Sequence, residues 1–188
     1  ESQHAYIEIA EEKGYEVLLL DSPIVSHLMQ KLEGDNEKMS FARVDSDHID
    51  KLIAKDDNQI SKLSEEEQTQ LKTVLEEIVP KATYSVQLEP MDSQAAPFMI
   101  TQPEFMRRMK EMSQTGGGGM FGMGGFPEMY NLVVNTNSDL ATNILTNTDK
   151  SAQERLVKQA LDLAKLSQGL LKGEDLTSFV KRSFELIK

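Results

Sequence analysis

Apolar positions in this chain follow two periods, and the switches between them divide it into segments. Residues 3–12, "QHAYIEIAEE", carry apolar groups at helical spacing and run into Gly14, a helix stop. "YEVLLL" (15–20) is a continuous apolar run of the length expected of a buried strand. In "DSPIVSHLMQKLEG", Asp21 or Ser22 is placed to cap, Pro23 suits a first turn, and Ile24, Leu28 and Leu32 share a face. Residues 33–62 are polar and connecting, with a short strand expected at "FARV" and a helix at "DHIDKLIA". A helix is predicted after Ser64, where Glu67 three residues on completes a capping box and Leu71, Val74, Leu75 and Ile78 form the apolar stripe. "TYSVQL", "PFMI" and "MYNLVV" read as three short strands. Thr101 with Glu104 forms a second capping box before the helix "QPEFMRRMKEM", and Ser138 caps "DLATNILTN". The end is helical. Ser151 with Glu154 opens a stripe of Leu156, Ala160, Leu163, Ser167 and Leu170 that Gly173 ends. The last helix places Leu176, Phe179, Val180, Ser183 and Ile187 on one face.

These elements predict an α+β protein. A small α/β segment with a connector (residues 1–61) precedes a domain (62–188) with a short three-stranded sheet, helices and a C-terminal helical bundle. The apolar fraction of 39% supplies a core, and no run approaches the ~18 apolar residues of a membrane span. The first residues carry no basic region of a signal peptide. The chain opens at Glu1 inside an expected helix, as a piece of a longer protein would. The net charge of −11 opposes binding to a phosphate backbone, so nucleic acid is not an expected partner. With no cysteine there are no disulfides or thiolate metal sites, which suits a reducing compartment.

Candidate chemistry is sparse. Gly117, Gly119 and Gly122 match the spacing of a dinucleotide fingerprint, but that motif needs a strand before it and a helix after it. Here the order is helix, glycines, strand, and no Gly-Lys-Ser/Thr follows. A nucleotide-dependent enzyme using this loop is therefore a disfavoured reading. His4, His27 and His48 lack ligand spacing, and the paired acids read as solvated faces. No catalytic, cofactor or metal residue is expected in this chain.

The ten methionines are more informative. Phe105, Met109 and Met112 fall within roughly 60° on one helix, with Met106 beside them. The stripe is either ordinary core or a contact surface. Met120, Phe121, Met123 and Phe126 sit among glycines that do not hold a fixed fold cheaply. Methionine adapts to irregular partners, so this segment is either an adaptable apolar patch or a loop that touches nothing specific. The two terminal helices raise a similar choice. Their stripes, Leu156, Ala160, Leu163, Leu170, Leu176, Phe179, Val180 and Ile187, either dock on the chain's own sheet or form a two-fold four-helix bundle. The shortness of the strands favours the dimer.

Three ordered stretches resemble one family. "GYEVLLLDSPI" (14–24) is similar to the segment closing the middle domain of the ninety-kilodalton heat-shock chaperones. "QLEPMDSQAAPFMI" (87–100) resembles the hairpin of their C-terminal domain, and "SFVKRSFELI" (178–187) their closing helix, through Phe179, Arg182, Leu186 and Ile187. The resemblance implies that residues 1–61 end a middle domain and 62–188 form the C-terminal domain. It implies a homodimer, unfolded or partly folded client proteins as partners, and a Met-bearing helix exposed near a client cleft. ATP with Mg would serve the longer protein, outside this chain, and the location would be the cytoplasm. A dimeric scaffold without client affinity is the alternative. Val25-Ser26 replaces the acidic pair common in relatives, and the glycine loop is longer than usual. The end, "FELIK", lacks the acidic tail of eukaryotic cytosolic members, as expected of the bacterial form.

Overall fold

A computed structural model describes residues 3–22, 24–53, 59–108 and 129–186, without the Leu186 side chain. The glycine loop lies outside the described residues, as do Met109, Met112, Met120, Phe121, Met123, Phe126, Pro23 and Ile187. The chain divides into two compact units. One comprises Gln3–Ala54 and Gln102–Glu128, the other Lys55–Thr101 and Met129–Lys188.

In the first unit, helix α1 (His4–Glu12) buries Tyr6 and Ala10. Gly14, at φ 78°, ends it: its amide donates to Glu11 and that of Tyr15 to Ala10, closing the last turn in a Schellman motif. Helix α2 (Val25–Asp35) begins at Ile24 without a side-chain cap, so neither Asp21 nor Ser22 serves as one. Helix α3 (Ile49–Leu52) is a single turn, tied to the end of α1 by an ion pair between Lys13 and Asp50. The run 15–20, expected as a buried strand, belongs to no strand among the described residues. Leu19 is 79% exposed, with Leu18 and Leu20 also exposed. A strand is defined by its ladder neighbours, and apolar character alone supplies none. The expected strand at "FARV" is likewise absent.

The second unit is built on three strands, β1 (Tyr84–Glu89), β2 (Phe98–Thr101) and β3 (Tyr130–Asn135). Their order is β1-β3-β2, with β1 parallel and β2 antiparallel to β3. Register aligns Val86, Leu132 and Ile100 in one rung and Leu88, Val134 and Phe98 in another. Alternation puts both rungs on one face, and with Tyr84 facing Tyr130 they form the floor of the core. The roof is helical. Leu71 and Leu75 come from α4 (Glu65–Ile78), Ala141 and Ile144 from α5 (Asp139–Thr146), and Val157, Leu161 and Ala164 from α6 (Lys150–Ser167). Each fully buried Leu or Ile contributes roughly 1.5–3 kcal/mol. Helix α7 (Gly173–Leu186) follows.

Caps fix where these helices start. Ser64 and Glu67 form the complete capping box expected, and Ser138 accepts from the Ala141 amide. At α6 the cap is Asp149, which accepts from Ser151, while Glu154 pairs with Lys158. The expected Ser151 cap is the second residue of the helix. Gly169, not Gly173, ends α6: at φ 65° it donates to Leu166 while Leu170 donates to Lys165, and Gly173 opens α7.

The segment after β3 forms a buried polar corner. Asn137 accepts from the Lys62 amide at 2.7 Å and donates to the carbonyls of Ile60 and Met91 at 3.1 and 3.0 Å. Asn135 accepts from Met91 and donates to Asp92. Two asparagines thus pin the chain entering α4 and the β1–β2 connection to the end of the central strand.

Candidate functional site

Among the described residues, exposed apolar side chains stand in both units, and two sets of them include residues expected at a site. The first is the helical turn at 104–108. Thr101 is the buried last residue of β2 and does not cap it, and Glu104 turns its carboxylate to Arg107 and Arg108 instead. Phe105 is 71% exposed and Met106 is half-buried. Arg107 is buried, about 160° around the helix from Phe105. Arg108 reaches Glu33 of α2 through two bonds of 2.9 and 3.2 Å and the Phe41 carbonyl through a third of 2.8 Å. Glu33 in turn accepts from the Phe41 amide at 2.7 Å. The Arg108 bonds and then the Phe41 amide hold the Glu33 carboxyl below the usual carboxylate range. Glu33 and Glu104 together raise Arg108 above its ordinary value.

The second set is on the helical hairpin of α6 and α7. Spacing alone did not divide its stripes between the chain's own core and an outer face, and the structure does. Ala160 is in the core, and Leu156 and Leu170 pack against it half-buried. Phe179, 8% exposed, is also internal, and Leu176 is half-buried. Leu163 is 52% exposed and Val180 is exposed. Two further exposed groups, Leu166 and Phe184 (64%), escaped the sequence reading. Phe184 lies four residues beyond Val180, a spacing that would have placed it on the same face. Polar bonds hold the hairpin closed: Asp162 pairs with Arg182, Lys165 bridges to Asp175 at 3.1 Å, and Gln159 donates to Ser183 at 3.1 Å.

A cleft of about 750 Å³ lies in the first unit, with Ile7, Val17, Leu19, Met29, Phe41 and Arg107 among its lining. Among the described residues, no three or more His, Asp or Glu side chains converge to hold a metal ion. No helix among them is long and apolar enough to cross a membrane.

Comparison with known proteins supplies the frame for these surfaces. No protein-family model matches the chain. A chaperone protein HtpG of Bacteroides fragilis (strain 638R) is 31% identical, over all of this chain and 37% of its own length. That of Bacteroides thetaiotaomicron is 32% identical over the same shares. The chain is a relative of the HtpG chaperones. The HtpG of Porphyromonas gingivalis (strain ATCC 33277) agrees, at 36% identity over 87% of this chain and 24% of its own length. The chain thus spans about a third of the HtpG proteins that match it end to end. The three stretches quoted for the resemblance fall on known places in the fold. They are the run before α2, the β1–β2 connection and α7; the connection is not the expected hairpin, because β3 lies between β1 and β2.

Proposed function

We propose that this chain is the part of an HtpG-type chaperone that joins two protomers and contacts partly unfolded clients. The observation that carries it is the pairing of exposed apolar side chains with ordered, polar-anchored elements. Leu163, Leu166, Val180 and Phe184 are offered by a hairpin already closed on its polar side. Phe105 is offered by a turn pinned through Arg108. In this reading the α6–α7 face meets its own copy around a two-fold axis. Phe105 and Met106, with Met109, Met112, Met120, Phe121, Met123 and Phe126, make the client surface. Two such surfaces in one dimer would add weak contacts through effective concentration. ATP with Mg and the nucleotide cycle belong in this reading to the parts of the relatives' length that the chain does not span. The cytoplasm is the compartment that goes with it.

Replacing Phe105 and Met106 with Ser tests the client half. Suppression of aggregation of a heat-denatured reporter protein should fall, with unchanged far-UV circular dichroism and unchanged solution mass. Full suppression by a folded double variant would remove Phe105 and Met106 from the client surface, and no suppression by the wild-type chain would leave a dimeric scaffold without client affinity.

A further inference from the structure

We propose that Glu33 and Arg108 form a latch that positions the client surface, so that two residues touching no client set how tightly one binds. This rests on the client-contact reading above. The geometry is a closed ring around one residue. The Phe41 amide donates to Glu33, Glu33 accepts from Arg108 through both carboxylate oxygens, and Arg108 donates to the Phe41 carbonyl. The ion pair thereby takes both backbone groups of Phe41, as a neighbouring strand would. Arg108 spends a further donor on Glu104 at 2.8 Å, one turn back on its own helix.

The consequence concerns Phe105. Phe105 lies about one turn before Arg108 on the described helical residues 104–108. The latch ties these residues to α2 and Phe41, which lie 75 and 67 residues away in sequence. The ring of Phe105 is left exposed on a fixed backbone. A planar guanidinium suits this task because its fork reaches a carboxylate and a carbonyl together, which an ammonium cannot do with the same geometry. Pre-set geometry raises affinity by reducing the ordering that binding must accomplish. Loss of the latch should therefore weaken client binding by about three- to tenfold, the effect of immobilising one or two side chains.

The experiment measures the affinity of the full 188-residue chain for reduced, carboxymethylated α-lactalbumin by fluorescence anisotropy. Glu33→Gln, Arg108→Gln and the double variant are compared, with Phe105→Ser as a control on the client surface itself. Hydrogen exchange of the amides at 104–108 is followed in parallel. The latch is supported if each single variant weakens binding three- to tenfold, the double variant is no weaker than either single, and exchange at 104–108 rises together with the loss. Arg108→Lys, which keeps charge without the fork, should fall between wild type and Arg108→Gln. Unchanged binding by Arg108→Gln, with binding lost in Phe105→Ser, overturns the latch and leaves the client surface standing. Unchanged binding by both overturns the client reading and the latch with it. Strictly additive losses from the two single variants also overturn it, because they would act separately.

Discussion

Phe179 and Phe184 lie five residues apart on α7 and should respond to truncation in opposite ways. Phe184 is 64% exposed in the protomer and Phe179 only 8%. Burying a whole Phe side chain stabilises by roughly 1.5–3 kcal/mol, so covering the exposed part of Phe184 in an interface is worth about 1–2 kcal/mol. A two-fold interface counts the residue twice, which gives about 2–4 kcal/mol, or roughly 30- to 1000-fold in the dimer dissociation constant. Phe184→Ala should leave the urea midpoint of a fully dissociated sample within about 0.5 kcal/mol of wild type, as substitutions on exposed surface do. Phe179→Ala should instead destabilise the protomer itself by about 3–5 kcal/mol, as buried Phe truncations do. Sedimentation equilibrium over a concentration series, with urea denaturation of the same samples, separates the two effects. The reasoning is refuted if Phe184→Ala dimerises as tightly as wild type, or if Phe179→Ala melts like wild type.

Asn137→Ala removes three hydrogen bonds and leaves the Lys62 amide and the Ile60 and Met91 carbonyls without them, so a loss of about 2–4 kcal/mol is expected in urea denaturation. Gly169→Ala meets no neighbour within 4 Å but forces a residue with a Cβ to φ 65°, so its cost should be backbone strain alone, about 1–2 kcal/mol, read from the melting temperature. Glu33 is held below the usual carboxylate range by Arg108 and the Phe41 amide, with Glu104 sharing the guanidinium. Its contribution is thus complete above the unfolded value of ~4.3 and lost as pH falls through the lowered one. Glu33→Gln should therefore flatten the acid limb of a stability–pH profile and leave its neutral-to-basic shape unchanged.

What could be read from the chain and what could not divide along the range of the forces involved. Ser64 and Glu67 identify their helix start because both partners of the capping box lie within one turn. The three strands were readable because their alternation and their turn residues are local, although β1 pairing parallel to β3 was not. Leu18–Leu20 misled because burial depends on neighbours that the run does not encode. On α6 the apolar residues occupy two adjacent faces. Val157, Leu161 and Ala164 meet the sheet and Leu163 and Leu166 do not, and spacing cannot say which face the sheet will take. Arg108 and Glu33 meet across 75 residues, and no local pattern links them.

The central claim is that one chain both pairs with its copy and holds unfolded protein. Sedimentation velocity of the wild-type chain with fluorescently labelled, carboxymethylated α-lactalbumin tests both parts in one run. The account requires unbound chain to sediment near 42 kDa, twice the 21.1 kDa of one protomer, and the label to sediment with the chain as a heavier complex. Chain sedimenting at 21.1 kDa, with the label free, would contradict it.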